Sequence, residues 1–101
     1  MFFVTAIIGG AALERNPSFK FIRNRTYGYY PTFAEAHAAV TDNVFSMDEC
    51  CHDFIVIEDI PVGIPAMAEK EWWYQWKHPI WVSMGDSKPS EFAHIINWAI
   101  G

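Results

Sequence analysis

The sequence contains little cysteine and no long hydrophobic run. Its only cysteines, Cys50 and Cys51, are adjacent, so a disulfide between them would close a strained ring and connect no distant segments. A disulfide framework of the secreted type is therefore not expected. No apolar stretch approaches the ~18 to 20 residues that a membrane-spanning helix needs. The apolar opening also lacks the preceding basic residue of a secretion signal, and we expect a soluble, cytoplasmic protein.

Charged residues are few, at 19% of the chain, whereas 51% of the residues are hydrophobic and 17% are aromatic. This composition excludes disorder driven by high charge and low hydrophobicity. The length of 101 residues predicts a single domain spanning residues 1–101. A domain of this size needs fewer aromatic side chains for its core than this chain contains, so some should face a partner or a ligand.

The familiar catalytic and cofactor motifs are absent. There is no GxSxG nucleophile elbow, no GxxxxGK[ST] phosphate loop and no GxGxxG fingerprint. The consecutive run Cys50–Asp53 has a spacing that cannot easily close a tetrahedral metal site. His37 and His94 are expected to be partly buried, hydrogen-bonded residues of helices. We therefore predict no catalytic residue, no metal and no cofactor, and a binding protein rather than an enzyme.

Apolar and aromatic segments predict the strands. The predicted strands are Phe2–Ile8, a longer strand from Phe19 to Tyr30, Phe54–Ile57, and a hairpin of Glu71–Trp76 with Ile80–Val82. In the first strand of the hairpin, alternation places Trp72, Tyr74 and Trp76 on one face and Trp73 on the other.

Two segments predict helices. Thr32 and Glu35 have the spacing of a capping box, which predicts a helix from Phe33 to about Asp42, with Asn43 as its terminator. Proline near the first turn predicts a second helix within Lys88–Gly101. The predicted fold is an α+β domain, a small antiparallel or mixed sheet of about five strands with two helices on one face. The apolar ending should pack on this domain or on a neighbouring copy.

Charge is distributed unevenly along the chain. Residues 1–30 contain four basic residues and one acidic residue, whereas residues 31–101 contain three basic and eleven acidic residues. Strict alternation along the second strand would place a mixed set of arginine and aromatic side chains on one face: Phe21, Arg23, Arg25, Tyr27 and Tyr29. Guanidinium groups bind phosphate through forked hydrogen bonds, and aromatic rings stack on bases. The alternative is that these residues form an ordinary solvated strand face, whose positive charge balances the acidic residues in the rest of the chain.

The candidate ligand-binding residues are therefore Arg23, Arg25, Tyr27, Tyr29 and Trp73. Arginines would neutralise phosphate, and the tyrosines and Trp73 would stack on or enclose the base. Trp73 is included because tryptophan is enriched in binding surfaces, although a core position is its alternative. The overall charge of −5 argues against an extended nucleic-acid footprint and favours a small, compact anion.

Several short segments together resemble a family of small proteins of bacteria and phages. They are FFVTAI at the start, Arg25–Tyr29 leading into Pro31–Ala36, Phe54–Glu58, Trp73–Trp76 and Trp98–Gly101. Through that family the chain resembles a Thoeris anti-defence group of phage proteins, which act as sponges for cyclic ADP-ribose-type or cyclic oligonucleotide immune signals. The resemblance implies an α+β protomer in a homo-oligomer that binds its signal without cleaving it.

The leading hypothesis is a non-enzymatic anti-defence protein of a phage or mobile element that sequesters a small cyclic nucleotide in the host cytoplasm. The first alternative is an inhibitor that contacts a host defence protein directly through an acidic and aromatic face. A second alternative is a small hydrolase of the same nucleotides that uses His52 or His94.

Overall fold

The computed structural model describes residues 1–8, 23–44, 52–61, 67–95 and 97–99. The regular elements, in chain order, are β1 (Phe2–Ile8), β2 (Arg23–Tyr30), α1 (Phe33–Thr41), β3 (Phe54–Asp59), β4 (Lys70–Lys77), β5 (Ile80–Gly85) and a short 3-10 turn (Ser90–Phe92). The strands form one five-stranded sheet in the order β2-β1-β3-β4-β5. All four neighbouring pairs are antiparallel, so the α+β class and the antiparallel form of the predicted sheet are confirmed.

The strand segments of the sequence correspond to these elements. The residues at 19–22 of the predicted second strand lie outside the described residues, and β2 is described from Arg23. The predicted hairpin is present as β4 and β5, joined by a turn at His78 and Pro79 whose peptide bond is cis. Trp73 and its neighbours on β4 alternate between the two faces as predicted, because Trp73 and Tyr74 belong to different core clusters.

Helix α1 begins and ends where its sequence predicts. The Thr32 hydroxyl accepts a hydrogen bond from the Glu35 backbone N–H at 3.3 Å and donates one to the Glu35 carboxylate at 3.1 Å. This cap satisfies an N–H that the first helical turn leaves without an intrahelical partner. Asp42 is the C-cap, and Asn43 follows with a φ of 50°, a left-handed conformation that asparagine tolerates. The buried residues of α1 are Ala36, Ala39 and Val40.

Helix α1 packs on one face of the sheet, which we term the helix face. The buried cluster there consists of Val4, Ala6, Ala36, Val40, Ile55, Ile57, Tyr74 and Trp81. Aromatic rings extend this cluster toward the surface, since the rings of Phe33 and Trp72 lie 4.5 Å apart and those of Phe2 and Trp72 lie 6.0 Å apart. The aromatic surplus of the sequence thus serves partly to pack a short helix against the sheet.

The opposite face of the sheet, the second face, has its own buried cluster. Its members are Ile7, Phe54, Val56, Trp73, Phe92 and Trp98. Residues 88–95 and 97–99, which we term the strap, supply Phe92 and Trp98 to that cluster. The predicted packing of the apolar ending on this domain is therefore confirmed for Trp98.

The prediction of a second helix is wrong for the described residues, where the strap contains only the 3-10 turn. In an α-helix, the backbone N–H groups of Trp98 and Ala99 would bond to carbonyls four residues earlier. Both groups instead donate to the carboxylate of Glu58, at 3.1 and 2.9 Å. A tertiary partner therefore overrides the local preference for helix. Positions 96, 100 and 101 lie outside the described residues.

Candidate ligand-binding site

A β-bulge interrupts β2, which is an edge strand of the described sheet. The register of β2 on β1 shifts between Val4 and Thr5, and Tyr27 is the extra residue. One extra residue reverses the alternation of side chains along the remainder of the strand. Strict alternation predicts Arg25, Tyr27 and Tyr29 on one face, and the bulge makes that prediction wrong for Tyr29.

Arg25 and Tyr27 lie together on the helix face, as alternation along β2 predicts. Arg25 lies opposite Ala6 in the register, and its Cζ atom is 4.9 Å from the centroid of the Tyr27 ring. Tyr27 packs against the helix-face cluster and meets the His52 ring edge-on, at a centroid distance of 5.9 Å. The Arg25 side chain is exposed, Tyr27 is half-buried, and His52 is buried. We refer to these two side chains as the Arg25–Tyr27 pair.

The Arg25–Tyr27 pair has the chemistry of an anion-binding surface. A guanidinium group carries five N–H donors, so a cation–π contact with Tyr27 leaves donors available for an anion. These donors can still form forked, charge-assisted hydrogen bonds to a phosphate. Because the aromatic ring supports the side chain, less conformational entropy is lost when an anion binds.

Two other predicted site residues, Tyr29 and Trp73, do not join this pair. The Arg23 backbone lies opposite Ile8 in the register, two positions before Arg25. Tyr29 lies opposite Phe3 on the second face, with ring centroids 5.4 Å apart, and is 62% exposed. Trp73 is fully buried on the second face, where its ring stacks on Phe92 at 5.8 Å. The structure brings together Arg25 and Tyr27 and separates Tyr29 and Trp73 from them.

An open cleft beside the ends of β4 and β5 has no counterpart in the sequence-based predictions. It has a volume of about 730 Å³ and is lined by Ala68, Glu69, Lys70, Glu71, Trp72, Gly85, Asp86 and Lys88. Lys88 Nζ lies 4.0 Å from a carboxylate oxygen of Glu71. Both acidic and basic residues line the cleft. No sequence motif indicates it, because the hairpin brings together two segments that are separate in the sequence.

Glu58 is a buried carboxylate that sequence patterns also missed. Its residue is 0% exposed, and burial raises the pKa of the carboxyl group above its ordinary value of 4.5. The backbone N–H groups of Ala99 and Trp98 act in the opposite direction, while the negative charge of Glu71 raises the pKa further. An acidic residue near the end of a strand is usually solvated, so the sequence offers no signal for this burial.

The helix face also contains a hydrogen bond between a histidine and a tyrosine. His37 Nδ1 and the Tyr74 hydroxyl oxygen are 2.6 Å apart, and the His37 and Phe33 rings stack at 5.6 Å. Burial raises the pKa of Tyr74 to about 12, so this phenol stays neutral near pH 7. The expected role of His37 as a partly buried, hydrogen-bonded helix residue is confirmed.

No group of histidine, cysteine, aspartate or glutamate side chains suited to hold a metal ion is found within the described residues. The described helices include none that is long and apolar enough to span a bilayer. Comparisons of the chain with protein-family models, curated proteins and solved structures find no match.

Proposed function

We propose that this chain binds a small cyclic nucleotide at the Arg25–Tyr27 pair and holds it without cleaving it. The observation that carries the proposal is the exposed Arg25 guanidinium group supported 4.9 Å from the Tyr27 ring centroid. Its N–H donors suit a phosphate, and a guanidinium plane is also a group on which a base can stack. One side chain can thus contact both chemical parts of a nucleotide.

Two further features of β2 support a phosphate-bearing ligand. Arg23 precedes Arg25 by two residues in the sequence of β2, so this strand contains a second basic residue. An edge strand also presents backbone N–H groups on its outer side, which can donate to anionic oxygens. Because the chain has a net charge of −5, this small basic site suits a compact anion better than a long nucleic acid.

The biological role that we propose for the chain is that of an anti-defence protein of a phage or mobile element. The chain would act in the host cytoplasm as a homo-oligomer that sequesters a cyclic nucleotide or cyclic ADP-ribose-type immune signal. The resemblance of its short segments to the Thoeris anti-defence group supports this form. A site with few cations would benefit from a second protomer, since a neighbouring copy could add a phosphate contact.

Replacement of Arg25 tests the site. We expect Arg25→Ala to weaken nucleotide binding by roughly 10- to 100-fold, because charge-assisted hydrogen bonds contribute about 1.5 to 3 kcal/mol. Isothermal titration calorimetry measures the change, and the melting temperature should stay nearly constant because Arg25 is exposed. Arg25→Lys should recover part of the affinity, because lysine keeps the charge and loses the fork.

Lys77→Ala provides the matched control. Lys77 is an exposed cation at the far end of β4, so its removal changes the net charge by the same amount as Arg25→Ala. Its affinity should remain close to that of the unmodified chain. Equal weakening in both variants would assign the effect to overall charge, and equal affinity in Arg25→Ala would remove Arg25 from the site.

Direct contact with a host defence protein is a second candidate function, which the exposed charge favours. Among the residues whose burial the structure describes, the exposed acidic residues are Glu35, Asp42, Glu69, Asp86 and Glu91, whereas the exposed Lys and Arg residues are Arg25, Lys70 and Lys77. An acidic surface of this kind suits a basic partner surface. This candidate predicts a chain that binds no nucleotide and whose inhibition of one host protein is lost in the double variant Glu69→Lys and Asp86→Lys.

A further inference from the structure

Polar contacts at several points fasten the strap to the sheet. The Glu58 carboxylate accepts hydrogen bonds from the backbone N–H groups of Trp98 and Ala99. The Asn24 side-chain amide donates to the Trp98 carbonyl at 3.0 Å, and the Lys88 ammonium group donates to the Ile95 carbonyl. Among these contacts, only those to Glu58 involve an acidic side chain, and Glu58 is buried on the second face.

The surroundings of Glu58 contain two other charged groups within the described residues. Glu71 lies directly opposite on β4, and Lys88 comes from the strap, with its ammonium group 4.0 Å from a Glu71 oxygen. On β1, the residue opposite Glu58 is the uncharged Phe3. The carboxyl groups of Glu58 and Glu71, on adjacent strands, thus lie near the same lysine. The closed strap excludes water from Glu58.

We propose that the strap is a proton-controlled cover of the second face, which is held most tightly when Glu58 carries a proton and loosens when Glu58 is ionised. A closed strap removes the hydration of an ionised Glu58, and the repulsion from Glu71 adds to that cost. When the strap opens, water reaches the carboxylate, so the ionised form favours the open state. This device is independent of the nucleotide proposal.

The direction of the pH dependence follows from proton linkage. In the closed state the pKa of Glu58 is raised, chiefly by burial and also by the negative charge of Glu71. The two backbone N–H groups and Lys88 lower it, but they oppose the increase only in part. In the open state the carboxyl group returns toward its ordinary pKa of 4.5. The closed state therefore binds the proton more tightly. Its extra stability is complete below pH 4.5 and is lost as the pH rises through the raised pKa.

Opening of the strap would expose an aromatic surface. The Trp73 ring stacks on Phe92 with an interplanar angle of 16°, and Trp98 meets Trp73 edge-on at 5.8 Å. Both covering rings belong to the strap, so Trp73 would gain access to water when the strap lifts. Movement of the strap should thus change tryptophan emission as well as amide exchange.

Amide hydrogen exchange of the complete chain, resolved by residue, tests the proposal. The amides of Trp98 and Ala99 are followed from about pH 4 to about pH 8 and corrected for the intrinsic pH dependence of exchange. Because one proton is linked to opening, the opening constant should rise by up to about tenfold per pH unit between 4.5 and the raised pKa. An opening constant that does not change with pH would overturn the proposal.

Four single variants separate proton control from a merely structural contact. Glu58→Gln cannot ionise, so its strap should show no pH dependence in this range. Glu71→Gln removes the repelling charge and should move the midpoint to lower pH, whereas Lys88→Met removes a favourable charge and should move it to higher pH. Glu69→Gln, at an exposed carboxylate, should leave the midpoint unchanged.

The opposite shifts keep the test decisive even if Glu58→Gln does not fold. A midpoint that moves in the same direction in Glu71→Gln and Lys88→Met would overturn the proposal, as would an unchanged pH dependence in a folded Glu58→Gln variant. Loss of the Lys88 contact to the Ile95 carbonyl would loosen the strap at every pH, and this uniform change is distinguished from a shifted midpoint.

Discussion

Trp73 and Tyr29 are both aromatic residues of the sheet, and burial separates their contributions to stability. Trp73 is fully buried against the strap, whereas Tyr29 is 62% exposed and contacts Phe3. We expect Trp73→Ala to lower the free energy of unfolding by about 3 to 5 kcal/mol. Tyr29→Ala should cost under about 1 kcal/mol, because little area is lost. Urea denaturation measures both values, and comparable losses would contradict this placement.

The hydrogen bond between His37 and Tyr74 leads to a second prediction for single residues. Tyr74→Phe removes only the hydroxyl oxygen that lies 2.6 Å from His37 Nδ1. We expect a loss of about 1 kcal/mol in the free energy of unfolding, since the half-buried imidazole loses one partner. Tyr29→Phe, at an exposed phenol, is the control and should change the stability by less than about 0.5 kcal/mol. Equal values in a denaturant titration would argue against a stabilising bond.

For the single helix, the N-cap is the contact most open to test. Thr32→Ala removes the hydroxyl that accepts from the Glu35 N–H and should destabilise the protein by about 1 kcal/mol. Thr41→Ala is the control, because the Thr41 hydroxyl donates only to carbonyls of its own helix, at His37 and Ala38. Thr41→Ala should change the free energy of unfolding by roughly a few tenths of a kcal/mol. Thermal unfolding followed at 222 nm distinguishes the two variants, and a smaller loss for Thr32→Ala would contradict the assigned cap.

The elements that the sequence predicts correctly are those whose signals are local. The capping box at Thr32 sets the start of α1, and Asn43 adopts a positive φ just beyond its C-cap. The alternation around Trp73 on β4 also holds, since a strand between two packed faces needs apolar residues on both. These features depend on residues within a few positions of one another.

The features that sequence reasoning missed depend on distant partners. The bulge at Tyr27 arises from the register of β2 against β1, so alternation within β2 cannot reveal it. Proline near the first turn predicts a helix that includes Trp98, and this local pattern cannot reveal the contact with Glu58, which is 40 residues away in the sequence. Of the candidate site, alternation along β2 predicts that Arg25 and Tyr27 share a face, but it does not predict the cation–π contact between them.

The molecule as a whole has buried clusters on both faces of one sheet, so we expect the faces to unfold together. Ile57→Ala on the helix face and Trp98→Ala on the second face should each lower the stability, by about 2 to 5 and 3 to 5 kcal/mol. Each variant should show one cooperative transition, with coincident midpoints by far-ultraviolet and near-ultraviolet circular dichroism. Separate midpoints in Trp98→Ala would instead define the strap as an independent folding unit.

A native mass spectrum of the purified chain, alone and with a panel of cyclic dinucleotides and cyclic ADP-ribose derivatives, tests the central claim most directly. The spectrum gives the oligomeric state and stoichiometry, and denaturation followed by mass analysis identifies what is released. We predict one class of nucleotide bound in a fixed ratio to protomers and released chemically intact, with binding reduced in Arg25→Ala. Release of a hydrolysed nucleotide would indicate an enzyme, and absence of any bound nucleotide would contradict the account and favour direct protein contact.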